Sequence, residues 1–127
     1  MKKKIAFIFT FILICFSVTS CISFMVGASN YDLPRITIVN NTGYRVDSIH
    51  FTPTSDRSWG PDRTSYNQVL RNGQSVTLNL PYPISQYNRY DFLLIDLDGD
   101  GYTKMNVSLR GGERIVFTFS DFVAKRF

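Results

Sequence analysis

The chain is poor in the residues that most enzymes and metal sites use. Its 127 residues contain one histidine, one tryptophan and two cysteines, and Glu113 is the only glutamate. Four Cys or His ligands cannot be gathered for a conventional zinc site. Cys15 falls in the N-terminal apolar run, so the remainder keeps only Cys21 and no internal disulfide can form. The fold must therefore rest on its apolar core. About twenty large apolar side chains follow Ile36, each worth roughly 1.5–3 kcal/mol on full burial before the entropy cost is counted. A catalytic triad would need His50. That residue sits at an ordinary alternating position of a predicted strand, and no nucleophile elbow is visible. Paired-carboxylate chemistry is open to the aspartates, but nothing in the sequence points to a cleft. The expectation is a protein that is not an enzyme, with a small secreted hydrolase built on His50 as the remote alternative.

Long apolar runs are also absent, except at the N-terminus. Met1-Lys2-Lys3-Lys4 precedes an apolar stretch over residues 5–18 that includes Phe7, Phe9, Phe11, Ile12, Leu13, Ile14 and Phe16. About fourteen residues suit a signal-peptide core and fall short of the roughly 20 that a membrane span needs. Counting 22–28 lengthens the run and leaves a retained anchor open. Val18-Thr19-Ser20-Cys21 has the form of a bacterial lipobox: an aliphatic residue, two small ones, then a cysteine to be acylated. Val26-Gly27-Ala28 offers an ordinary signal-peptidase site as the competing reading. Cys15 follows bulky Ile14 and is a poor lipidation candidate. The predicted organisation is a signal peptide over 1–20, a tether over 21–34 and a β-sandwich domain over 35–123.

Export changes the meaning of the charge. The whole chain carries a formal +4. Removing Lys2, Lys3 and Lys4 from the 14 basic residues leaves 11 against 10 acidic ones, a net +1. So small a charge gives little long-range attraction to nucleic acid. The expected partners are a membrane, through a lipid on Cys21, and a protein or glycan.

From residue 35 the apolar pattern has a period of two. Ile36 and Ile38 alternate with Thr37, Asn40-Asn41-Thr42-Gly43 marks a turn, and β-branched and aromatic residues resume over 44–51. The two runs predict a hairpin. Pro53, Gly60 and Pro61 mark a loop, and Ser65-Tyr66-Asn67-Gln68 matches a capping box that predicts a short helical turn to about Arg71. Val76, Leu78 and Leu80 alternate in the next strand. Phe92, Leu93, Leu94 and Ile95 run consecutively and predict a strand covered on both faces. Asp98-Gly99 and Asp100-Gly101 are each suited to a two-residue hairpin turn, and either register puts Phe92 and Leu94 on one face with Met105 and Val107. Ile115, Phe117 and Phe119 line one face of a last strand. The fold class is all-β, an antiparallel sandwich of six to seven strands with one short helical turn.

Three groups could carry binding chemistry. Asp96, Asp98 and Asp100 alternate and are followed by Gly101, like the first half of an EF-hand loop. Lys104 and Val107 occupy positions where that loop needs ligands, so a calcium-stabilised module requires oxygens from elsewhere. The alternative is an acidic hairpin tip. Trp59-Gly60-Pro61-Asp62 is the most distinctive loop, read either as a plug on the sandwich or as a ligand platform built on the indole. Tyr82, Tyr87, Arg89 and Tyr90 group the aromatic and guanidinium side chains that protein or glycan contacts use.

Taken in order, Asn41-Thr42-Gly43, Trp59-Gly60-x-Asp62, Leu70-x-x-Gly73-x-Ser75, Tyr90-Asp91 and Asp96-x-Asp98-Gly99 resemble small secreted bacterial β-sandwich proteins of unknown function, many of them lipoproteins. The likeness spans residues 35–120 and departs from the family pattern at Thr64, where that pattern has leucine. It implies a sandwich and export, and no activity.

Overall fold

A computed structural model describes residues 33–127. The predicted signal peptide, the predicted lipobox with Cys21 and the predicted tether up to residue 32 lie outside the described residues. Seven strands are present among them: β1 (Arg35–Asn41), β2 (Val46–Pro53), β3 (Ser75–Asn79), β4 (Arg89–Asp96), β5 (Gly101–Ser108), β6 (Arg114–Thr118) and β7 (Phe122–Ala124). They form a three-stranded sheet ordered β3-β1-β6 and a four-stranded sheet ordered β2-β4-β5-β7. All pairs are antiparallel except β1 with β6, which is parallel. No described helix is long and apolar enough to cross a membrane.

The alternating apolar residues meet between the sheets. Ile36, Ile38, Ile115 and Phe117 from one layer pack against Ile49, Phe51, Phe92, Leu94 and Tyr102 from the other, all buried. This is the expected sandwich. The connections differ from expectation in four places, each with a local cause.

The predicted β1–β2 hairpin is absent, because the two strands lie in different sheets. Asn40 makes the crossing. Its amide nitrogen donates to the carbonyls of Tyr44 (2.7 Å) and Leu70 (2.9 Å), while its Oδ1 accepts from the Thr42 backbone (3.1 Å) and hydroxyl (2.8 Å). Gly43, at φ +90, completes the corner.

Residues 65–71 are not helical. Gln68 does reach back, accepting the Ser65 N–H on its Oε1 (3.1 Å), and its own N–H donates to the Ser65 carbonyl (2.9 Å). Asn67 then turns left-handed at φ +59, and Leu70 bridges Val46 in two backbone bonds of 2.9 Å. Burying Leu70 against β2 prevails over a second helical turn. The one helical turn is instead a 3-10 turn over Phe119–Asp121, capped by Asp121 accepting the Thr118 N–H at 2.9 Å. That turn removes Phe119 from β6 and leaves it 58% exposed, where the last strand was expected to bury it.

The β4–β5 connection uses neither two-residue turn. Leu97-Asp98-Gly99 form a three-residue loop: the Asp96 N–H donates to the Asp100 carbonyl and the Gly99 N–H to the Asp96 carbonyl, both at 3.0 Å. Gly99, at φ +83, takes the left-handed position such loops require. The extra loop residue flips the parity, so Leu94 faces Tyr102 and Phe92 faces Lys104. Met105 consequently points outward and is 58% exposed. A bulge then inserts one β5 residue between the Phe92–Lys104 and Tyr90–Val107 pairs, returning Val107 to the core side.

Candidate functional site

The outer face of the four-stranded sheet is where the distinctive loop settles. After β2, the loop turns at Asp56, whose N–H donates to the Pro53 carbonyl (2.8 Å). It then runs back along the free edge of β2. The Asp62 carboxylate accepts the Ile49 N–H (3.1 Å) and the Arg63 N–H donates to the Ile49 carbonyl (2.7 Å), so two backbone groups at that edge are served. Gly60 lies close against β2: a Cβ there would meet the Phe51 carbonyl oxygen at 3.4 Å, and its φ of +72 suits glycine. Burial alone would raise Asp62, but hydrogen bonds from Thr64 and Ile49 and the nearby His50 bring its pKa below the usual value.

This path holds Trp59 half-buried, its ring edge-on to Phe127 with centroids 6.3 Å apart. The C-terminal tail is fixed in turn, since the Phe127 N–H donates to the Gly99 carbonyl at 2.6 Å. Beside the indole lies an open cleft lined by Thr52, Asp56, Arg57, Trp59, Asp91 and Met105. The Asp56 Oδ2 accepts the Thr52 hydroxyl (3.0 Å). Asp91 Oδ1 accepts the Thr54 hydroxyl (2.9 Å) and the Asn106 N–H (2.7 Å), pinning the β5 bulge where Asn106 adopts φ +54.

The tyrosine–arginine group divides. Tyr82 and Tyr87 pack edge-to-face with centroids 5.0 Å apart, Tyr82 exposed and Tyr87 against the core. Arg89 is exposed and donates to the Asn106 side-chain oxygen (3.1 Å). Tyr90 is fully buried beside Phe51 and Phe92, so it cannot contact a partner as the sequence suggested. Burial and the neighbouring Tyr82 push its hydroxyl up to about 12, and that hydroxyl has no hydrogen-bond partner. Trp59 pairs with Phe127 and Tyr82 with Tyr87, so no ring contact among the described residues joins the two groups.

The three alternating aspartates do not converge. Asp96 is buried and turned into its own loop: Oδ1 accepts the N–H groups of Asp98 and Asp100 (both 2.9 Å) and Oδ2 accepts the Tyr102 hydroxyl (3.2 Å). Asp100 accepts the Arg126 N–H at 3.3 Å. Among the described residues no three His, Cys, Asp or Glu side chains gather as a metal-binding group. Asp96 serves as the cap of a hairpin loop, the role aspartate commonly takes beside Gly.

His50 has both ring nitrogens engaged, Nδ1 at 3.0 Å from the Gly60 carbonyl and Nε2 at 3.2 Å from the Ser48 hydroxyl. Positions 48 and 50 share one face of β2, so the serine contact follows from strand periodicity. The clefts beside Trp59 and beside Asp62 are lined by neither residue.

Trp59 was legible as a candidate. Its cleft partners Thr52, Asp56, Arg57, Asp91 and Met105 were not. Asp91 did carry a signal, a carboxylate directly before the most apolar run of the chain. No family model, no curated protein and no solved structure matches the sequence or the fold.

Proposed function

We propose that the chain is an exported, non-catalytic binding module of the cell envelope, acylated at Cys21 and held at a membrane surface. The observation that carries this is Val18-Thr19-Ser20-Cys21 directly after the apolar run over residues 5–18. Two further features support it. The described sandwich begins twelve residues beyond Cys21, and the sequence assigns the residues between to a tether, although Ile22-Ser23-Phe24-Met25-Val26 is more apolar than such tethers usually are. The outer sheet face carries an open cleft with an aromatic ring and charged side chains, the composition that recognition sites use. His50 is held by Gly60 and Ser48 outside that cleft, which favours recognition over hydrolysis.

Detergent partitioning tests the anchor. The full chain, expressed in a bacterium and extracted, enters the detergent-rich phase, while the Cys21→Ala chain stays in the aqueous phase. Equal partitioning of the two overturns the lipoprotein reading.

A further inference from the structure

Asp91 is charged, only 7% exposed and set at the head of the most apolar strand. Burying a carboxylate is costly unless each oxygen is served. Oδ1 receives two hydrogen bonds, from Thr54 and Asn106. Oδ2 receives none from the described residues and is not among the buried polar atoms that lack a partner, so it is accessible, and Asp91 lines the cleft beside Trp59. Asp56, an exposed residue on the same cleft, has Oδ2 accepting from Thr52 and Oδ1 without a donor among the described residues. Neither carboxylate is in an ion pair, since the one salt bridge among the described residues joins Lys104 and Asp121. Two acceptor oxygens are thus fixed in place by their own partner atoms, beside a half-buried indole, a guanidinium from Arg57 and the exposed thioether of Met105.

A ligand that fits must donate hydrogen bonds to two carboxylates, accept from a guanidinium and lay an apolar surface on an aromatic ring. An amine cation serves the carboxylates alone and is repelled by Arg57. An apolar ligand leaves both oxygens bare. A neutral sugar ring meets every requirement, because its hydroxyls both donate and accept and its C–H face stacks on indole. We infer that the cleft formed by Trp59, Asp56, Asp91 and Arg57 binds a neutral saccharide unit. This deepens the binding-module reading and rests on it, but does not depend on the lipid at Cys21.

Trp59 is the only tryptophan in the chain, so indole emission reports on this cleft alone. The full chain, purified in a detergent without a sugar headgroup, is titrated with neutral oligomers of glucose, mannose, galactose and N-acetylglucosamine. Arginine and choline are run in parallel. At least one saccharide gives a saturable change in emission, reproduced by calorimetry. Asp56→Ala and Asp91→Asn, checked for retained strand content by circular dichroism, weaken that binding by about tenfold or more. Tyr66→Ala, which removes a side chain 94% exposed and not part of the cleft, binds like the parent. No saturable response to any of the saccharides overturns the inference, as does a response to arginine or choline alone. So does saccharide binding that Asp56→Ala leaves unchanged. Failure here leaves the detergent-partition result standing, and a sugar-binding protein that stays in the aqueous phase overturns only the anchor.

Discussion

Asn40 is completely buried, and both ends of its amide are used: two donations, to Tyr44 and Leu70, and two acceptances, from Thr42. Removing the amide strands several buried polar groups at once, so Asn40→Ala is expected to destabilise the domain by roughly 3 kcal/mol, read from urea unfolding. Two buried tyrosines give a sharper contrast. The Tyr102 hydroxyl donates to Asp96 at 3.2 Å, and Tyr102→Phe is expected to cost about 1 kcal/mol. The Tyr90 hydroxyl is buried without a partner, so Tyr90→Phe is expected to be neutral or slightly stabilising. Tyr90 also sets an alkaline limit. Burial raises its pKa from the ordinary 10.0 to about 12, so the unfolded chain gives up this proton first. Its stability contribution is complete below pH 10.0 and is lost as the pH climbs through about 12. Tyr102 is shifted in the same direction by burial and by Asp96. Thermal melts across this range should fall steeply for the parent and less steeply for Tyr90→Phe.

The β4–β5 hairpin shows how far the sequence can be read at the level of elements, and where that stops. Its two strands and its tip were legible, because apolar runs flank an Asp-Gly cluster. The pairing was not, because Asp-Gly chemistry suits both two-residue and three-residue loops, and one residue decides which face of β5 is buried. What decides it is the Asp96 carboxylate, which collects the N–H groups of Asp98 and Asp100. Asp96 is therefore already saturated from within the chain, and calcium is expected to leave the melting midpoint where chelator leaves it. A rise of several degrees with calcium would contradict this use of Asp96. The same limit explains the lost hairpin between β1 and β2. The turn cluster at Asn40-Asn41-Thr42-Gly43 was visible, but whether a turn keeps a strand in its sheet or carries it to the other is set by distant Leu70 and Gln74, which bond Asn40 across thirty and more residues. At the candidate site the legible part was Trp59, an uncommon residue beside glycine and proline. The cleft around it needs β2, β4, β5 and the loop at 54–59 side by side, which no local pattern encodes.

At the scale of the whole molecule, the sandwich manages its exposed edges with loops and short pieces. Asp62 and Arg63 cover β2, and β7 caps the start of β5 by pairing at Gly101 and Tyr102. The start of β1 is tied down through the Pro34 carbonyl, which accepts the Leu80 N–H at 2.8 Å. The cleft beside Trp59 opens on the outer face of the four-stranded sheet, lined from β2, β4, β5 and the loop that follows β2.

Intact-mass spectrometry of the full chain recovered from bacterial membranes tests this account most directly. It predicts a mature protein that begins at Cys21 and carries the added mass of acyl groups on that residue. A protein that begins at Ser29 without lipid, or that retains Met1 and its leader, contradicts it.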